Sequence, residues 1–382
     1  MFEREVWAAV PFHFWSGVFF VFGSMVGSFA NVCIHRMPRD ESIVWPPSHC
    51  PHCNYSIPWY LNIPLITWLW LRGKCKNCGA PIAARYFLVE LLTGVAFLSC
   101  WLAFGHRSAG LALSYSILLA GFIVATFIDL EHLIIPDEIT IGGAAVGFIL
   151  CCIFPILQHT AERAPAIRAS MLGIAIASGS VYLALRGGKL LFGRERIKLE
   201  PDSKLIFTET CLQLPDGREV PYGDMLYRDT DVIHLYAKTI ELPEICFFQK
   251  DVTLCAKELV VGDQKFNPEE VKHMELVTSE LILPREAMGL GDVKFMAAIG
   301  AFLGWQASIF SFFGAAVVGS IIGIPLLLTK KTERGGRIPL GPFLALAATI
   351  WIFLPAHFQQ FWFQQLSLFG DLITGNTNPP LR

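Results

Sequence analysis

The sequence predicts an α-helical polytopic membrane protein of about eight transmembrane helices, with a cytoplasmic zinc-knuckle loop and a small β-rich cytoplasmic insertion. Three observations lead to this fold class. Of the 382 residues, 53% are hydrophobic and 16% are charged, whereas roughly 25% are charged in an average soluble domain. Several charge-poor runs reach the length of about 20 residues that a spanning helix needs. The basic residues collect in short stretches between these runs, and the net charge of −2 gives no reason to expect nucleic-acid binding.

Seven apolar runs are bounded by charged or turn residues. They cover residues 6–34, 86–105, 111–128, 139–157, 169–185, 295–329 and 338–363. The first run is too long for a signal peptide and no small-residue cleavage site follows it, so we expect an uncleaved span. The run 295–329 is too long for one helix and contains the sequence LGWQ at 303–306, so it accommodates one over-long span or two.

The distribution of positive charge decides between these topologies. Basic residues gather within 36–85, 186–198 and 330–337, and short loops rich in Lys and Arg stay in the cytoplasm. Placing all three stretches inside requires an outside N-terminus and two crossings within 295–329, which gives eight helices. The predicted segments are a first span at 1–35, a tetracysteine loop at 36–85, spans two to five at 86–187, an insertion at 188–285 and spans six to eight at 286–382.

Four of the eleven cysteines form two CxxC pairs in the loop 36–85, and they are Cys50, Cys53, Cys75 and Cys78. Each pair can supply two thiolates to a tetrahedral zinc ion, and four ligands close the coordination sphere. Disulfides are the alternative, but a cytoplasmic loop disfavours them. The sequence therefore predicts a structural zinc site, with His49 and His52 outside the ligand set.

Two aspartates, Asp129 and Asp292, each adjoin an apolar run, and the predicted topology puts both at the cytoplasmic membrane edge. A boundary aspartate is often an interfacial residue or a helix cap, which is the interpretation we prefer for Asp137. Asp129, however, ends its helix, where a cap gains little, and Gly289 and Gly291 let other backbone approach Asp292. Two neighbouring carboxylates share a proton and can act on water as base and acid.

Six motifs occur in a fixed order along the chain. They are GSMVGSFANVCIHRMP (23–38), the two CxxC pairs, RYFLVELLTG (85–94), FIDLEHLIIPD (127–137), GLGD (289–292) and IPLGPFLAL (338–346). Over roughly residues 16–187 and 286–357 the chain resembles the type IV prepilin peptidases, bacterial inner-membrane aspartic proteases of the GxGD type.

The resemblance implies a function and a set of partners. Asp129 and Asp292 would be the catalytic pair, cleaving the leader of prepilin or pseudopilin precursors on the cytoplasmic side. The new N-terminus would then be methylated with S-adenosylmethionine, for which no binding residue is identified. The implied setting is the type IV pilus or type II secretion machinery in the inner membrane, with membrane lipid as a further partner.

Two more charged residues lie near the apolar runs. Glu90 is expected to snorkel, to pair with Arg85 or Lys294, or to belong to a methyl-transfer site, and a buried structural pair is preferred. Lys294 is expected to tune Asp292 or to bind lipid phosphate.

The insertion 188–285 departs from the family pattern, since it separates the two aspartates by far more residues than the family norm. The stretches 204–214, 231–242 and 251–261 alternate in polarity, and a PDG turn occupies 215–217, so a small β-rich domain is predicted. Substrate recruitment, partner docking and a tolerated insertion all remain open as its role.

Other functions remain open at this stage. The same carboxylates would suit an intramembrane aspartic protease with other substrates. An ion-coupled transporter could use Glu90 with the two aspartates, but it should show internal repeats and charges at mid-span. A zinc-binding anchor would need neither aspartate.

Overall fold

The structure is a computed structural model. It describes residues 11–192, 194–208, 210–215, 217–225, 232–242, 245–255, 258–267, 271, 273–284, 289–328, 339–362 and 364. The basic stretch 330–337, on which the topology prediction partly rests, lies outside these residues. The chain divides into two compact units, Met1–Tyr182 with Gly289–Arg382, and Leu183–Met288.

The first unit is helical, as the apolar runs predict. Its long helices are α1 (Phe12–Arg36), α2 (Ala84–Phe104), α3 (Ala109–His132), α4 (Asp137–Ile153), α5 (Arg163–Phe192, which continues into the second unit), α6 (Leu290–Leu328) and α7 (Gly341–Phe353). Local residues set several of their ends. The Ser108 side chain caps α3 by accepting from the Leu111 N–H, and Leu133 ends that helix in the left-handed conformation. Pro136 precedes α4, where a missing N–H costs nothing.

Five of the described helices, α1, α2, α3, α5 and α6, are long and apolar enough to cross a membrane. A sixth candidate is α7 together with Ala356–Trp362, which follows it at an angle of 117°. The predicted class of a multi-span helical protein is therefore confirmed, with five or six candidate spans among the described residues, and the count of eight stays a prediction. Two helices account for the difference from eight. Helix α4 has 17 residues and is not among the candidate spans. Helix α6 is counted as one span, although its backbone leaves the helical conformation at Gly304, where φ is 79° and ψ is 177°.

The parts of α6 before and after Gly304 contact different neighbours. Before the break, the Gln158 side-chain amide donates to the carbonyls of Ala301 and Phe302 at 3.0 and 3.2 Å. After the break, a Cβ placed on Gly314 would lie 3.0 Å from Cβ of Ala347 in α7. The glycine thus ends one helical segment and begins another, within the LGWQ sequence that suggested a break.

Small residues allow the helices of this unit to approach closely, as is usual in membrane bundles. A Cβ on Gly173 of α5 would lie 2.2 Å from the carbonyl oxygen of Gly300 in α6, and a Cβ on Gly27 of α1 would lie 2.7 Å from Cα of Glu90 in α2. Substitution at either glycine would force backbones apart.

The second unit contains one antiparallel sheet, so the predicted β-rich region is confirmed. The strands in the described residues are β1 (Arg194–Thr208), β2 (Cys211–Gln213), β3 (Glu219–Pro221), β4 (Ile233–Glu241), β5 (Cys246–Leu254), β6 (Leu259–Val261), β7 (Gln264–Phe266) and β8 (His273–Pro284). Their order is β3-β2-β1-β8-β4-β5-β6-β7. Strand β8, which the sequence reading did not identify, pairs with both β1 and β4. Buried apolar residues on these strands, including Leu205, Leu235 and Leu276, form the core of the unit.

Candidate active site and metal centre

Asp129 lies in the last turn of α3, and only 5% of it is exposed. Its Oδ2 atom accepts a hydrogen bond of 2.9 Å from the backbone N–H of Gly341, the first residue of α7. The carboxylate therefore faces the positive end of a helix, which stabilises negative charge. A side chain on Gly341 would collide with it, since its Cβ would lie 2.7 Å from Oδ2 of Asp129.

Asp292 lies in the first turn of α6 and is half-buried. Gly289 lies beside its carboxylate, since a Cβ on Gly289 would lie 3.7 Å from Oδ2 of Asp292. The Asp129 carboxylate is close enough to interact with that of Asp292 electrostatically. Ile135 lies beside both Gly291 and Gly341. Cβ positions on Gly341 and Gly291 would lie 2.9 Å from its Cδ1 and 3.7 Å from its Cβ.

The structure thus brings together the two aspartates that the sequence singled out, from parts of the chain 163 residues apart. Two carboxylates in one partly buried site favour a single shared proton, because both cannot ionise at low cost. Such a pair can take a proton from water and deliver one to a leaving group. The catalytic roles of Asp129 and Asp292 stay a prediction.

Two contacts near the site were not foreseen. The Gly341 N–H comes from the IPLGP stretch, whose glycine beside two prolines signals irregular backbone at a helix start but does not identify a partner. Lys294 Nζ lies 2.7 and 2.9 Å from the carboxylate oxygens of Asp137, joining the starts of α6 and α4. Asp137 makes no capping hydrogen bond, and Pro136 occupies the cap position.

The predicted pairing of Glu90 with Arg85 or Lys294 is wrong. Arg85 forms an ion pair with Glu131, and Lys294 pairs with Asp137. Glu90 is buried and accepts a hydrogen bond of 2.8 Å from the backbone N–H of Leu65. A backbone donor therefore takes the place that a cation was expected to fill.

The four CxxC cysteines, Cys50, Cys53, Cys75 and Cys78, converge in the loop between α1 and α2, with all four Sγ atoms within 4.8 Å of one another. The Sγ atoms of Cys50 and Cys78 are 3.8 Å apart. A tetrahedral zinc ion with Zn–S bonds of about 2.3 Å requires S···S separations of about 3.8 Å. The donor set and its spacing therefore fit zinc.

The two pairs have the same local structure, which explains how two short motifs build one site. In the first turn, the Asn54 N–H donates to the Cys50 carbonyl, and in the second the Gly79 N–H donates to the Cys75 carbonyl, both at 2.9 Å. Asn54 and Gly79 both have positive φ, a conformation that Gly and Asn adopt most easily. An isolated β-bridge closes each turn, between His49 and Ser56 and between Lys74 and Pro81.

Hydrogen bonds favour the thiolate, the form that binds metal, at two of the four cysteines, whereas burial and hydrogen bonds with the other three thiols raise the pKa of Cys78 to about 11. The backbone N–H groups of Cys78 and Asn77 lower the pKa of the Cys75 thiol to about 6. The Asn77 side chain donates to Cys53 at 3.6 Å and lowers the pKa of that thiol. His49 is within hydrogen-bond distance, 3.0 Å, of the Pro47 carbonyl, and the converging ligand atoms are the four sulfurs.

Two family models match parts of the chain. The bacterial peptidase A24 N-terminal domain matches residues 21–104, which include the four cysteines. The type IV leader peptidase family matches residues 271–324, which include Asp292. No solved structure matches the chain.

Several curated relatives carry the name prepilin leader peptidase/N-methyltransferase. The protein from Aeromonas salmonicida (strain A449) is 30% identical over 396 residues, covering 97% of this chain and 96% of its own. The protein from Aeromonas hydrophila is 29% identical with the same coverage. The protein from Myxococcus xanthus is 41% identical over 178 residues, and the match spans 50% of that relative's length.

Proposed function

The chain belongs to the prepilin leader peptidase/N-methyltransferase family, and we propose that Asp129 and Asp292 cleave the leader peptides of type IV prepilins or pseudopilins. The observation that carries this proposal is the convergence of the two carboxylates at one end of the helical unit. There Asp129 is held by the Gly341 N–H at 2.9 Å.

The reaction follows from a pair that shares one proton. The ionised carboxylate takes a proton from a water molecule while the water oxygen attacks the scissile carbonyl carbon. The protonated carboxylate supplies a proton as the C–N bond breaks and the amine leaves. The hydrogen bond from the Gly341 N–H holds the Asp129 carboxylate in position, which limits the reorganisation needed during the reaction.

The substrate is a precursor with a basic leader and an apolar helix, because these two parts suit the cytoplasm and the membrane respectively. We place the active site at the cytoplasmic edge of the inner membrane, with membrane lipid around the spans. The matching physiological partner is the type IV pilus or type II secretion machinery.

The second activity is N-methylation of the new N-terminal residue, which the names of the relatives include. S-adenosylmethionine supplies the methyl group when it is bound. The inter-helix glycines Gly27 and Gly94 contact neighbouring helices rather than forming a nucleotide-binding loop, so we assign no residue to this cofactor.

We propose that the chain crosses the membrane eight times. Counting α4 as a span and α6 as two, divided at Gly304, adds two crossings to the six candidates. Before Gly304, the carbonyls of residues 301 and 302 accept hydrogen bonds from Gln158. After it, Gly314 lies against Ala347 of α7. This change of neighbours supports a reversal of chain direction at Gly304. The boundaries 1–35, 36–85, 86–187, 188–285 and 286–382 are part of this proposal.

Asp129→Asn and Asp292→Asn test the assignment of the catalytic pair. We expect either change to abolish leader cleavage while the protein remains inserted and folded, because Asn keeps the shape but cannot exchange a proton. Co-expression with a prepilin and mass measurement of its N-terminus provide the readout.

Asp137→Asn is the matched control. Asp137 lies at the same end of the molecule but binds Lys294 in an exposed ion pair, and such pairs contribute only about 0–1 kcal/mol. Cleavage at a near normal rate in either catalytic variant, or an equal loss in Asp137→Asn, would contradict the assignment.

A further inference from the structure

The loop between α1 and α2 exposes an unusual amount of apolar surface near the tetracysteine site. Trp59 is 83% exposed and Trp70 is 73% exposed. Ile63, Ile66 and Leu69 are exposed as well. Large apolar side chains grouped in this way mark a surface that something covers. We call residues 59–70 the tryptophan segment.

One side of the tryptophan segment is fixed to the protein. Its short helix, Ile66–Trp70, buries Thr67 and packs the Trp68 ring against Phe87 of α2, with ring centroids 5.1 Å apart. The other residues of this helix, Ile66, Leu69 and Trp70, point away from the protein and are exposed. The free side of the helix is therefore the apolar one.

The contact with Glu90 fixes the depth of the segment relative to α2. Glu90 lies six residues after Ala84, the start of α2, which corresponds to about 9 Å along a helix. Its Oε2 atom accepts from the Leu65 N–H at 2.8 Å, and Leu65 takes a positive φ of 62°. Because α2 is a candidate membrane span, the segment lies beside its first two turns, at the level of the membrane edge.

The charges around the segment match a lipid surface. Tryptophan and tyrosine concentrate where membrane and water meet, and Trp59 and Tyr60 are both exposed. Arg72, Lys74 and Lys76 follow directly and are exposed, and Lys76 lies 5.6 Å from the Tyr60 ring centroid. Basic residues at this depth attract the anionic headgroups of the cytoplasmic leaflet.

We propose that the tryptophan segment inserts into the cytoplasmic leaflet and that Glu90 holds it at that depth through the Leu65 N–H. The occupant of the apolar surface is phospholipid, with acyl chains against Trp59, Ile66 and Trp70 and headgroups near the basic residues. The tetracysteine site is thereby anchored to the bilayer at its membrane side, in addition to its covalent links to α1 and α2.

Photo-crosslinking tests this proposal in the full-length protein. A p-benzoylphenylalanine residue replaces Trp59 or Trp70, which exchanges one exposed aromatic side chain for another. The protein is placed in nanodiscs of phosphatidylethanolamine and phosphatidylglycerol, irradiated, and examined for lipid adducts by mass spectrometry. The control replaces His52, which is exposed in the same loop. We expect severalfold more lipid adduct at 59 and 70 than at 52.

Adduct yields at 59 and 70 no higher than at 52 would overturn the proposal. So would adducts formed only with an added prepilin, because the segment would then be a substrate surface. Zinc content measured on each sample confirms that the loop is folded, and leader cleavage is recorded separately because the proposal does not depend on it.

Glu90 variants test the depth. Glu90→Ala removes the acceptor for the Leu65 N–H and should lower the lipid adducts at 59 and 70 severalfold. Glu90→Gln keeps an acceptor oxygen and should retain them. Unchanged adducts in Glu90→Ala, in protein that still binds zinc, would show that Glu90 does not hold the segment in the leaflet.

Discussion

At the scale of single residues, the candidate active site depends on a glycine. Gly341 donates its N–H to Asp129. Because it has no Cβ, it also leaves free the space that the Asp129 carboxylate occupies. A Cβ at this position would also press on Cδ1 of Ile135 at 2.9 Å. The position of Asp129 is therefore set by backbone from a helix 212 residues away in sequence.

Gly341→Ala should displace the Asp129 carboxylate while leaving both aspartates in place. We expect leader cleavage to fall by up to about 100-fold, since misplacement of a reacting group by about 1 Å can cost that much. The rate is measured with purified enzyme and a prepilin in detergent or nanodiscs.

Gly121→Ala is the control for this change, because Gly121 lies on the same helix as Asp129 and its Cβ would meet nothing within 4 Å. Cleavage should stay near the normal rate in that variant. An equal rate in Gly341→Ala would mean that the close contact does not position the carboxylate.

At the scale of elements, the tetracysteine loop is built from two copies of one turn. Each copy needs a CxxC pair and a following residue that accepts positive φ, Asn54 in one and Gly79 in the other. The metal joins the two turns, because the cysteines of each turn supply only half of a tetrahedron. The loop should therefore depend on zinc for its stability.

Purified protein should contain about one zinc ion per chain, as a single closed four-thiolate site requires. Changing Cys50 with Cys53, or Cys75 with Cys78, to Ser should lower the metal content and the protease resistance of the loop 36–85. Elemental analysis and limited proteolysis provide these two readouts.

The active-site variants separate metal from chemistry. Asp129→Asn and Asp292→Asn should still bind zinc, because hydrolysis by two carboxylates does not use the metal directly. Brief chelation should impair cleavage only as far as the loop shapes the substrate path. Two outcomes would contradict a structural role for the metal. One is the absence of metal from reduced protein. The other is an immediate loss of cleavage on chelation, reversed by added metal, while the loop stays folded.

At the scale of the whole molecule, the arrangement of helix ends bears on topology. Asp129, Asp292 and Gly341 meet at one end of the helical unit, whereas a transporter is expected to carry charges at mid-span. The ion-pathway alternative therefore loses its main support. In the topology we propose, this end of the helical unit faces the cytoplasm.

Reporter fusions test the eight-span topology. Fusions after residues 80, 200 and 333 should report the cytoplasm, and fusions near 107, near 162 and at the C-terminus should report the outside, because basic loops stay inside. Activity of paired alkaline phosphatase and green fluorescent protein fusions gives the readout. A C-terminus inside would mean that 295–329 crosses once, despite the break at Gly304.

The sequence by itself determined the features that depend on composition and on local order. Long charge-poor runs predict membrane helices because a bilayer leaves no partner for unpaired backbone groups. The spacing of Cys50, Cys53, Cys75 and Cys78 predicts four ligands because each pair forms its own turn. Asp129 and Asp292 stood out by their positions at the ends of apolar runs and by the family resemblance.

Only the tertiary structure decided which groups meet across long stretches of chain. The Gly341 N–H on Asp129, the Leu65 N–H on Glu90 and the pairing of β8 with β1 and β4 all join distant residues. Glu90 shows the reason, since sequence suggested a cation as its partner and a backbone donor met it instead. A buried polar group requires a partner, but its own neighbours in sequence do not specify which partner the folded chain brings to it.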